Sequence, residues 1–79
     1  METEERIKRI LAIALQLKPE GIGDDFTSES VSNWDSLQQM NIIVALEEEF
    51  NIRFEEAESI LLKDFQSLLK AVGSKINTP

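Results

Sequence analysis

Residues 34–50 read Trp34-Asp35-Ser36-Leu37-Gln38-Gln39-Met40-Asn41-Ile42-Ile43-Val44-Ala45-Leu46-Glu47-Glu48-Glu49-Phe50, and this stretch decides the fold. A turn-rich segment gives way here to a run without glycine or proline, in which apolar residues recur every three or four positions. That spacing predicts a helix over 36–50. Met40, Ile43, Leu46 (or Glu47) and Phe50 form the stripe expected to face a core, with Ile42 beside them. A second line, Leu37, Asn41, Val44 and Glu48, runs along another face. Its two aliphatics, Leu37 and Val44, lie outside the core stripe and are bordered by acids. Such a pair can be a docking patch, although scattered surface aliphatics are ordinary. Ser36 stands where loop becomes helix. A serine there is most often a cap, its side chain satisfying a free amide of the first turn.

Working outward, residues 3–17 are expected to form a first helix capped by Thr3. Glu4 and Glu5 suit its positive end, and Ile7, Ile10, Leu11, Ala14, Leu15 and Leu17 make a stripe that Ile13 widens. Lys18-Pro19 is the expected stop, since proline disfavours helical geometry in the residue before it. Residues 19–35 are rich in Gly, Asp, Ser, Thr and Asn and read as a long loop that short helical turns could interrupt. Ile22, Phe26, Val31 and Trp34 are its expected anchors, and a loop this long is usually functional or tied down. After Asn51, residues 54–62 read as a short helix carrying Phe54, Ala57, Ile60 and Leu61. Asp64 is the expected cap of a last helix with Phe65, Leu68, Leu69, Val72 and Ile76 as its stripe and Gly73 near its fraying end. The sum is all-α: three main helices and one short one, with a long first connection.

Composition narrows the chemistry. At 79 residues the chain has room for one core, and nine Ile, nine Leu and four Phe suffice to fill it, which argues against disorder. There is no Cys and no His. Disulfides and Cys/His metal sites are therefore excluded, and the usual imidazole base is missing. The acidic pairs and triplets lack the alternating ligand spacing of calcium loops, so no metal site is expected. Nor does a base, nucleophile and oxyanion donor converge anywhere, so no catalytic residue is expected. Net charge is −7, but residues 19–58 hold eleven acids against Arg53 alone, a local −10. Such a middle repels nucleic acid and anionic membrane and attracts basic protein surfaces. The apolar runs are too short to span a bilayer, and the acidic start is unlike a secretory signal, so a cytoplasmic location is expected. The Met1 start and the short Asn77-Thr78-Pro79 tail lead to the expectation of a free-standing chain.

Asp35-Ser36-Leu37, followed by Met40, Ile43 and Ala45-Leu46-Glu47-Glu48-Glu49-Phe50, resembles the signature of acyl carrier proteins and related carrier domains. In that family such a triplet opens the second helix, and the likeness extends over nearly the whole chain. The resemblance implies one carrier domain over 1–79 with the acyl-carrier-like four-helix bundle. It implies Ser36, between Asp35 and Leu37, as the attachment point of a covalent 4′-phosphopantetheine arm taken from coenzyme A. Acyl or aminoacyl groups would ride on that arm as thioesters, the protein itself catalysing nothing. The implied partners are a phosphopantetheinyl transferase, acyl- or aminoacyl-loading ligases and acyl-transferring enzymes. These would bring basic surfaces to Leu37, Asn41, Val44, Glu47 and Glu48 of a monomeric carrier. Gln38 and Asn41 stand where the fatty-acid type often carries acids, Val31-Ser32-Asn33 replaces the familiar leucine–glycine approach, and the loop after Phe50 looks shortened. Trp34-Asp35-Ser36-Leu37 looks more like carriers of specialised polyketide, peptide or modified-sugar pathways, though a fatty-acid role stays open. The competing reading is a small acidic interaction module without a prosthetic group, in which Ser36 is a cap and nothing more.

Overall fold

A computed structural model of the chain describes residues 2–76. Four α-helices follow in order: α1 Glu2–Leu15, α2 Ser36–Phe50, α3 Glu56–Ser59 and α4 Phe65–Ile76, with a 3-10 turn at Pro19–Gly21. The all-α bundle with three main helices and one short one is thus what forms. Met1 and the Asn77-Thr78-Pro79 tail, on which the expectation of a free-standing chain rested, lie outside the described residues.

The core forms where α1 meets α2 and α4. Ile7, Leu11 and Leu15 of α1, Ile42 and Leu46 of α2, and Phe65, Leu68 and Val72 of α4 are fully or almost fully buried. Ile13, expected to widen the α1 stripe, is instead 73% exposed, and Ala12 takes the inward position. Helix α1 ends earlier than the proline demanded. Gln16 adopts a left-handed conformation (φ 58°), and the Leu17 N–H donates to the Ala12 carbonyl at 2.8 Å, a Schellman closure that folds Leu17 back. Thr3 lies inside the first turn and not at its cap. Helix α2 closes the same way: Asn51 is left-handed (φ 56°) and the Ile52 N–H donates to the Glu47 carbonyl at 3.1 Å.

The long loop is pinned at both ends and in its middle. Ile22, Phe26 and Trp34 are buried and Val31 packs against the core, as their apolar character led one to expect. Asn33 donates its Nδ2 to the Leu15 carbonyl at 2.9 Å, satisfying an orphan acceptor at the end of α1. An isolated antiparallel bridge joins Thr27 to Asp64: the Ser28 N–H donates to the Lys63 carbonyl (2.8 Å) and the Phe65 N–H to the Phe26 carbonyl (2.9 Å). Asp64 caps α4 through the Ser67 N–H at 2.7 Å. Gly73 does not end α4, which continues to Ile76. One glycine costs a helix about 1 kcal/mol, and the buried Phe65, Leu68 and Val72 hold it against that. Residues 54–62 are helical only over Glu56–Ser59, started by a reciprocal capping box between Glu55 and Glu58. Ala57, Ile60 and Leu61 consequently face outward, and Leu62 is the residue that enters the core.

Candidate functional site

Asp35 sets the geometry at the head of α2. Its backbone is extended (φ −105°, ψ −170°), its Oδ1 accepts the Gln38 N–H at 2.9 Å, and its carbonyl accepts the Gln39 N–H at 2.8 Å. Asp35 is therefore the cap, and the reading of Ser36 as a cap does not hold. Ser36 is the first helical residue, exposed, its hydroxyl uninvolved in holding the helix. The amides of Ser36 and Leu37 have no hydrogen-bond partner among the described residues. An anionic group on the Ser36 oxygen would stand at the positive end of a fifteen-residue helix beside free N–H donors.

The inward face of α2 carries Ile42, Ile43 and Leu46 as the pattern predicts, with one exception near its start. Met40, expected in the core, is 65% exposed, and Gln39 is buried in its place. The Gln39 amide is fully engaged. Its Nε2 donates to the Ser59 carbonyl (2.7 Å) and the Leu62 carbonyl (2.9 Å), and its Oε1 accepts the Trp34 Nε1–H at 2.6 Å. Trp34 stacks on Phe26, with ring centroids 6.1 Å apart. One side chain thus ties the loop, α2 and the end of α3 together. Among the described residues no buried side-chain polar atom lacks a partner, so the network is complete. A buried polar residue of this kind leaves no periodicity in a sequence. The nearest signal was the misfit of Gln39 in the Ile42, Ile43, Leu46 row.

Beside Ser36 runs a groove of about 760 Å³ between α2 and α3. Trp34, Gln39, Met40, Ile43, Val44 and Ile60 give it a largely apolar wall, and Lys63 and Glu56 stand on its margin. Met40 joins Leu37 and Val44 on the outward line, and all three are exposed, as is Ile60 across the groove. The acids of α2 behave unequally. Glu47 accepts the Phe54 N–H with its Oε2 (2.9 Å) and Glu49 accepts the Arg6 Nε–H (2.7 Å). These two acids brace the fold as well as face solvent. Glu48 and Asn41 are exposed. Asn41 touches Gln38 at a long 3.4 Å, and Glu48 has no partner among the described residues.

Comparison with known proteins decides what kind of chain presents this site. No family model matches it. An acyl carrier protein of Thermosynechococcus vestitus is 33% identical over 75 residues, covering 95% of this chain and 93% of that protein. An acyl carrier protein of Buchnera aphidicola subsp. Acyrthosiphon pisum is 46% identical over 72 residues, covering 91% and 90%. The chain belongs to the acyl carrier protein family. In fold it superposes on the solution structure of holo acyl carrier protein from Geobacter metallireducens with a TM-score of 0.82 at 28% identity, covering 96% of this chain and 87% of that one. As an acyl carrier protein it is a carrier and not an enzyme. Among the described residues no helix is long and apolar enough to cross a membrane.

Proposed function

We propose that Ser36 bears a 4′-phosphopantetheine arm and that the protein carries acyl or aminoacyl intermediates on it as thioesters. The observation that supports this most is the division of labour at the head of α2: Asp35 caps, so the Ser36 hydroxyl is exposed and uncommitted beside two free amides. A phosphodiester fits there. The arm, when bound, supplies the thiol that a cysteine-free chain lacks. In the attachment step a new bond forms between the Ser36 oxygen and a phosphorus of coenzyme A, the pyrophosphate bond breaks, the adenosine bisphosphate leaves, and the hydroxyl proton passes to a base on the transferase. The exposed residues Leu37, Asn41, Val44 and Glu48, with the exposed part of Glu47, form the surface offered to that transferase and to loading and acyl-transferring enzymes. A fatty-acid, specialised polyketide, peptide or sugar-modifying pathway in the cytoplasm would suit such a carrier.

The test is intact mass after co-expression with a phosphopantetheinyl transferase, for the native chain and for Ser36→Ala. Addition of one phosphopantetheine to the native chain alone is expected. An unmodified native chain would return the reading to an interaction module with no prosthetic group.

A further inference from the structure

Cargo hung from Ser36 has two apolar places open to it: the groove itself, and the core behind the groove's inner wall, where Ile43 and Leu62 are buried. The way into the second is occupied. Trp34 and Gln39, both buried, line the groove, and the Gln39 Nε2 is bonded to the carbonyls of Ser59, the last residue of α3, and of Leu62 beyond it. A hydrocarbon chain passing between α2 and α3 would have to part both bonds. It would leave the buried Leu62 carbonyl and the Gln39 amide without partners against an alkyl chain that cannot satisfy them. The outer groove, by contrast, mixes the apolar Met40, Val44 and Ile60 with Ser28, Glu56 and Lys63.

We propose that the Trp34–Gln39 pair bars the core to cargo, so that the acyl group stays outside it, at the open groove, and this carrier serves short or polar acyl and aminoacyl groups. The inference rests on the reading of Ser36 as the bearer of the arm. In it Gln39 is a specificity-determining residue, acting through the position of α3.

The experiment loads the chain with acetyl- or octanoyl-phosphopantetheine from the corresponding acyl-coenzyme A and a transferase, confirmed by intact mass. The rate of thioester cleavage by hydroxylamine is then measured, each normalised to the same thioester on free pantetheine. A chain held inside the protein shields its thioester, and a tenfold slowing corresponds to about nine molecules in ten with the chain inside. Equal normalised rates for acetyl and octanoyl are expected, with the methyl NMR signals of Leu46, Leu62 and Leu68 unmoved by the octanoyl chain. Gln39→Met, which keeps the length and removes the polar clamp, should slow octanoyl cleavage severalfold and leave acetyl unchanged. Trp34→Phe removes one bond of the three and should act in the same direction to a smaller extent, which keeps the test open if Gln39→Met does not fold. A strongly slowed octanoyl thioester in the native chain would overturn the inference, as would no slowing in either variant with helical circular dichroism intact. Failure of the arm to attach at all is read from the mass beforehand, and it overturns the proposed function together with this inference.

Discussion

Asp35 is committed to the head of α2 and its neighbour Ser36 is not, and substitution separates the two. Asp35→Ala removes the bond to the Gln38 amide and should lower stability by about 1 kcal/mol, the usual worth of a cap. Ser36→Ala removes nothing that holds the helix, so it should change stability by less than about 0.5 kcal/mol while abolishing arm attachment. Urea denaturation and intact mass check the pair. Ser30 and Ser32 should not substitute, since neither opens a helix. Gln39→Ala is expected to be the most damaging polar substitution at the site. It strands the Trp34 Nε1–H and the carbonyls of Ser59 and Leu62, each at about 1–3 kcal/mol if water cannot reach it. The apolar character of Trp34 marked it as an anchor, and it is buried. The sequence hid Gln39, because a polar side chain is read as surface until its partners, 20 and 23 residues away, are placed around it.

At the scale of the element, α2 carries two apolar faces, and the exposure of Met40 beside the buried Gln39 tells them apart. Leu37, Met40 and Val44 fall at i, i+3 and i+7 and form the exposed line, whereas Gln39, Ile42, Ile43 and Leu46 form the buried one. Reading by hydrophobicity moved Met40 into the buried row, where geometry has no place for it. Substitution by Asp distinguishes the rows by helical circular dichroism. Ile43→Asp should unfold the chain, since it puts a charge into the core. Val44→Asp and Met40→Asp should keep the helical signal and slow pantetheinylation, because the added charge must be desolvated in the contact. The element order and the long loop's anchors were legible because burial of apolar loop residues follows from composition. The bridge between Thr27 and Asp64 was not, since pairing across 37 positions leaves no local pattern. Nor was the shortness of α3, whose capping box starts a helix that a single turn later has given way to Leu62 entering the core.

Over the whole molecule, charge sets two opposite responses to salt. The acids of the middle are partly answered by cations of the flanks: Arg6 meets Glu49 at 2.7 Å and lies over the Phe50 ring at 4.4 Å, and Lys75 meets Glu58 at 3.1 Å. Salt weakens those pairs, but partly exposed pairs are worth about 0–1 kcal/mol each. It also relieves the repulsion within a segment of net −10, across a Debye length of about 8–10 Å. Repulsion outweighs the few pairs, so the melting temperature should rise from dilute buffer to moderate sodium chloride. A flat or falling melting temperature would show that the flank cations already neutralise the middle. Partner binding should respond in the opposite sense, since a basic enzyme surface loses attraction as salt rises. Glu48 separates the two responses. It is exposed and braces nothing among the described residues, unlike Glu47 and Glu49, so reversing it acts on the encounter and not on the fold. Glu48→Lys should slow transferase association and flatten its dependence on ionic strength, with dissociation little changed, as expected of a rim charge. Glu49→Lys should instead lower the melting temperature by breaking the tie to Arg6. Stopped-flow association rates across a salt series, set beside melting curves for both variants, test this. Equal effects of the two substitutions on association and on stability would contradict the assignment of Glu48 to the partner and Glu49 to the fold.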